Sequence, residues 1–170
     1  MYIPIKRNVY GWSGMTSLNK ATYQKGVREI VEEMSGFFIP SQSGYKGWKN
    51  VMRAVIRQGI KHIFIVAHSN GLKAATWIAR DLKPYDIQVT ILCFDCTAGS
   101  VADLGSNVPD ALDIHAGGIM QRLTAGPDFT GNLQRIDVLK LSHIGMQKDE
   151  WVIEQGRKFG RKWRKEHPTL

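Results

Sequence analysis

The chain has 170 residues, of which 43% are hydrophobic and 22% charged, with a formal net charge of +8. These values suit one globular domain long enough to bury about two-thirds of its unfolded surface without staples, and they argue against a disordered or fibrous chain. The most apolar runs, Ile63-Phe64-Ile65-Val66 and Ile91-Leu92-Cys93-Phe94, are strand-length and far short of the roughly 18 apolar residues of a membrane span.

The opening ten residues lack a basic segment, an apolar stretch and a small-residue cleavage site, so a cytoplasmic address is the default expectation. Residues 3–10 can form a first strand, ending at the turn-like Gly11-Trp12-Ser13-Gly14. A helix is expected from Ser17 to Met34, with Tyr23, Val27, Ile30, Val31 and Met34 on one face. Phe37-Phe38-Ile39 follows as a short strand. From Gly47 to Gln58, the spacing of Trp48, Val51, Met52, Val55 and Ile56 predicts a helix laid over a sheet.

The segment His62–Ala67 is apolar without strict alternation, as a strand buried on both faces should be. A helix over 70–83 and a buried strand over 87–95 come next. Beyond Asp95 the chain is rich in glycine: Ala111–His115 reads as a short strand and 116–132 as loop with a brief helical turn. A last strand is expected over Ile136–Leu141, then a helix over Lys148–Lys165. This alternation predicts a three-layer α/β/α domain spanning 1–170, built on a mostly parallel six-stranded sheet.

Cys93 and Cys96 are read as two reduced thiols, because no second ligand pair matches their spacing. Much of the positive charge gathers late. Arg157, Lys158, Arg161, Lys162, Arg164 and Lys165 form a basic C-terminal stripe that can attract a polyanion, or stand as a solvated helix face.

The segment Val66-Ala67-His68-Ser69-Asn70-Gly71 carries the most specific chemical signal. A strand running into Ser69 and then a helix can hold a serine on a sharp turn with its hydroxyl exposed and helix-end amides beside it. An ordinary helix N-cap is the plain alternative. This segment resembles the nucleophile elbow of the α/β-hydrolase superfamily, Gly-x-Ser-x-Gly, with Ala67 at the first glycine and Gly71 at the last.

The resemblance covers residues from about Val9 to Trp151. It implies a minimal hydrolase fold without a cap domain, similar to small lipases, esterases and thioesterases, with no metal or organic cofactor. It implies the chain order serine, acid, histidine, which here assigns Ser69, Asp95 and His143. The acid could instead be Asp113 or Asp128, and His115 competes with His143 for the base. His68 would pack beside the serine. The oxyanion hole would use the backbone amides of Trp12 and Asn70, and Trp12, Ser13 and Met15 would line the substrate pocket. The activity implied is hydrolysis of a small acyl ester or thioester.

Two other classes compete. One is a catalytically silent protein of this fold that binds nucleic acid or another polyanion through the C-terminal stripe together with Arg53 and Arg57. The other is a phosphate-handling α/β protein, since serine at a helix start also suits an anion. The lack of a P-loop or dinucleotide glycine series argues against nucleotide binding.

Overall fold

The structure, a computed structural model, describes residues 7–14, 25–39, 47–96, 103–117 and 122–168. Its strands are β1 (Val9–Trp12), β2 (Phe37–Ile39), β3 (His62–His68), β4 (Gln88–Phe94), β5 (Asp103–Leu104), β6 (Asp110–His115), β7 (Thr124–Ala125) and β8 (Asn132–Asp137). Its α-helices are α1 (Lys25–Glu33), α2 (Trp48–Arg57), α3 (Gly71–Leu82) and α4 (Glu150–Glu166). Six strands form one sheet in the order β2-β1-β3-β4-β6-β8, and every neighbouring pair is parallel.

The central strands are apolar on both faces because helices cover both. Ile63, Ile65, Ile91 and Cys93 point to one side, where they pack with Val51, Val55, Leu72 and Ile78 of α2 and α3. Phe64, Val66, Leu92 and Phe94 point to the other and meet Val27, Ile30 and Val31 of α1 with Val152, Phe159 and Trp163 of α4. The three layers therefore follow from strands that bury alternate side chains in two separate cores. Asp149 caps α4, its side chain accepting from the Val152 amide at 3.0 Å. Among the described residues no helix is long and apolar enough to cross a membrane.

Several expectations need correction. The last strand runs over Asn132–Asp137 rather than Ile136–Leu141. As an outer strand it buries little, so its polar Asn-Leu-Gln-Arg-Ile-Asp pattern is the true signal, whereas Leu139 is 73% exposed beyond its end. Part of the presumed loop forms a two-stranded ribbon, β5 with β7. Cys93 and Cys96 are joined as a disulfide instead of standing as reduced thiols. Gly11 and Trp12 belong to β1 rather than to a turn, and the Trp12 ring is fully buried in the core. Of the first expected helix, Lys25–Glu33 is seen and its earlier residues lie outside those described, as does Met15.

Candidate active site

Parallel strands all open at the same edge of the sheet, so residues just past their carboxyl ends are brought together by topology. Ser69 follows β3, Asp95 follows β4 and His143 lies in the segment after β8. Ser69 has φ +54° and Asp95 φ +42°, left-handed conformations that non-glycine residues adopt at a cost. Each strand thus ends in a sharp reversal. The Ser69 amide still donates to the Phe94 carbonyl at 3.3 Å, and the Ser69 carbonyl accepts from Leu72 at 3.2 Å, tying the turn to β4 and to α3.

The start of α3 lies close against the end of β1. A methyl group at Gly71 would stand 2.5 Å from the Trp12 carbonyl oxygen, so only glycine permits that approach. One at Gly14 would stand 2.7 Å from Ser69 Oγ and 3.1 Å from the Asn70 nitrogen. Ser69 Cβ would be nearer still, at 2.4 Å, so the serine turn packs directly against the Gly14 backbone and only glycine fits there. Ser13 beside it is buried, and its Oγ has no hydrogen-bond partner among the described residues.

Asp95 and His143 are in contact: His143 Nδ1 lies 2.7 Å from Asp95 Oδ2. The aspartate is almost wholly buried, while the histidine side chain is 27% exposed. Burial works to raise the Asp95 pKa, but the hydrogen bonds from His143 and from the Ala116 amide, with the nearby imidazoles, outweigh it and hold the carboxyl below its ordinary value. A buried carboxylate on Nδ1 leaves Nε2 as the nitrogen of His143 that the pair does not engage. Among the described residues Ser69 Oγ makes no hydrogen bond, to His143 or to any other group.

His68, the residue before the serine, stacks on His143 with ring centroids 4.5 Å apart. Its Nε2–H donates to the His143 carbonyl at 3.2 Å. Burial first, and then the neighbouring imidazole, push its pKa down to about 3, so this ring stays neutral beside His143. Its expected packing role thus includes a direct hold on the His143 segment, which no sequence spacing reveals.

The other carboxylates stand elsewhere. Asp113, whose carboxyl burial pushes up, accepts from the Leu123 amide at 3.2 Å, and Asp128 pairs with Lys83 on the surface. Neither touches His143. His115 is buried and faces Asp95, and His62 stacks with His167 near the opposite end of β3. A cavity of about 200 Å³ along α3, lined by Thr76, Arg80, Leu104 and Asn107 among others, includes none of Ser69, Asp95 or His143. Among the described residues no group of three or more metal-binding side chains is assembled.

No family model matches the chain. No curated protein matches it either. Among solved structures, the substrate- and cofactor-free form of the aldehyde reductase YqhD from E. coli is similar at a TM-score of 0.36 and 12% identity. The match covers 79% of this chain and 38% of that one, a likeness too slight to bear on function.

Proposed function

We propose that this protein is a serine hydrolase of a minimal α/β-hydrolase type, cleaving a carboxylic ester or thioester through an acyl-enzyme. The observation that carries this reading is the buried Asp95 carboxylate, 2.7 Å from Nδ1 of a partly exposed His143, at the sheet edge where Ser69 occupies a left-handed turn. A helix N-cap serine needs neither that turn nor that pair. The order of strands, with serine after β3, acid after β4 and histidine after β8, supports the same reading.

In this mechanism His143 Nε2 takes the proton of Ser69 Oγ as the oxygen attacks the acyl carbon. Asp95 orients the imidazole and stabilises its charged form. The carbonyl oxygen, now negative, is received by the Asn70 amide at the start of α3, while the Trp12 amide is taken up in the pairing of β1 and supplies no second donor. Collapse expels the alcohol or thiol, which leaves with the proton from His143. Water then attacks the acyl-serine, giving its proton to His143, and the carboxylic acid departs as Ser69 regains its own.

A fluorophosphonate probe tests this by forming a phosphonyl bond to an activated serine, read by intact mass. One adduct per native chain is expected, with none on Ser69→Ala and little on His143→Ala. Gly14→Ala should cut the labelling rate by roughly 10²-fold, since its methyl would meet Ser69 Cβ and Oγ and displace the nucleophile. A folded native chain that takes no label would overturn the mechanism.

A second reading, polyanion binding, is favoured by one observation. On α2, Lys49, Arg53 and Arg57 recur every four residues on an exposed face, and that helix has no acidic residue. The field suited to a polyanion thus lies on α2 more than on α4, whose arginines are largely engaged within the fold. Salt-dependent retention on heparin tests this reading.

A further inference from the structure

We propose that His115 is a positioning residue for Asp95, its Nδ1 standing within hydrogen-bond reach of Oδ1 so that Oδ2 is held toward His143. The proposal rests on the hydrolase reading for its consequence in catalysis, while the contact itself is a matter of geometry.

The end of β6 grips Asp95 from one side. The Asp95 amide donates to the Ile114 carbonyl at 2.7 Å, and the Ala116 amide donates to Asp95 Oδ1 at 3.0 Å. Between those two residues stands His115, whose Nδ1 is 3.2 Å from the same Oδ1. Three consecutive residues of one strand end therefore face one aspartate. The fourth contact, from His143 Nδ1, falls on the other oxygen, Oδ2, at 2.7 Å.

A carboxylate with both oxygens engaged from different directions cannot turn about its Cβ–Cγ bond without breaking a bond on each side. With Oδ1 held by one amide alone, rotation would cost less, and the orientation of the His143 ring would slacken. His115 has its own reason to make this contact. Its side chain is 4% exposed, and Nδ1 has no other polar partner among the described residues. A buried polar nitrogen left unpaired is costly, and Asp95 Oδ1 is the acceptor at hand. The two atoms are within hydrogen-bond distance but not aligned as a hydrogen bond, and rotation of the imidazole would close it.

This arrangement gives His115 a different place from that of a rival base. It is buried behind the acid, and it acts on Ser69 only through Asp95 and His143.

The test compares three variants by two readouts: the rate of fluorophosphonate labelling, and the nitrogen and proton NMR signals of the His143 imidazole. His115→Asn keeps a donor near the Nδ1 position, His115→Gln moves it outward to the Nε2 position, and His115→Leu removes it. Loss of the donor is expected to slow labelling about 10- to 100-fold, because a misoriented base loses catalysis steeply with displacement. The same variants should lose the hydrogen-bonded Nδ1–H signal of His143, and Asn should restore both. Should the Leu variant not fold, the Asn–Gln contrast gives the same answer. Native labelling and an unchanged His143 signal in Gln and Leu would overturn the proposal, and so would equal losses in Asn and Gln, which mark a merely structural role. If the native chain takes no probe, the hydrolase reading fails, while the NMR comparison still decides whether His115 holds the pair.

Discussion

Ser69 and Asp95 each end a central strand with a positive φ, and each such residue costs about 1–3 kcal/mol that surrounding structure must offset. Ser35 and Asp86 share the conformation, but they close helical turns, where it is common. At the two strand ends it instead turns the chain sharply at the carboxyl edge of the sheet. His68 adds a titration with a definite sign. Its folded pKa of about 3 lies below the ordinary histidine value of 6.5, so between those values the unfolded chain binds the extra proton. The stability this neutral ring contributes is complete above the unfolded value and drains away as pH falls toward the folded one, at up to about 1.4 kcal/mol per unit. His68→Phe keeps a ring against His143 and removes the titration. Urea unfolding at pH 7 and at pH 4.5 should show the native chain losing roughly 2 kcal/mol more than the variant over that interval. Equal losses would mean that His68 titrates normally in the fold.

At the scale of elements, the site depends on how near α3 comes to β1. Gly71 sets that distance, because the atoms a methyl group would meet are the Trp12 carbonyl carbon and oxygen, which belong to backbone and cannot rotate away. Gly71→Ala should therefore push the start of α3 outward, lower the stability by about 1–3 kcal/mol and slow probe labelling by more than the stability loss explains. A variant that labels at the native rate would show that this approach is irrelevant to Ser69. Much of this arrangement was legible in the chain. Doubly buried strands announce themselves as near-continuous apolar runs, and a parallel sheet puts their carboxyl ends together, so Asp95 could be placed near Ser69 from order alone. What stayed hidden depends on tertiary contact or on an outer position. β8 sits where burial is slight, so hydrophobicity pointed past it to Leu139, an exposed residue. The approach of His115 to Asp95 and the stacking of His68 on His143 come from residues far apart in sequence, which no local pattern records.

Charge is a property of the whole molecule, and the fold redistributes what the chain order suggests. The C-terminal stripe looks like the natural seat of the +8 excess. In the folded chain Arg157 lies 2.9 Å from Glu29 and 3.0 Å from Glu33, Arg161 pairs with Glu33 and Glu154, and Lys162 stands 3.4 Å from Asp110. Arg164 donates to Asn8 and to the Met34 carbonyl. A paired charge presents a dipole to a distant anion, and its field falls off faster than that of a lone cation. Arg53 and Arg57 on α2 make no ion pair among the described residues, so their field reaches solvent undiminished. Two double variants separate these cases, because Arg53→Gln with Arg57→Gln lowers the net charge by as much as Arg157→Gln with Arg161→Gln. On heparin the α2 variant should elute at clearly lower salt than the native chain, with the slope of log affinity against log salt reduced by about 1 for each lost contact. The α4 variant should elute close to native and instead unfold at lower urea, since its losses fall on contacts between α4 and α1. If the α4 pair governs retention, the partly exposed arginines reach the polyanion despite their carboxylate partners, and the basic surface must be assigned to the C-terminal helix after all.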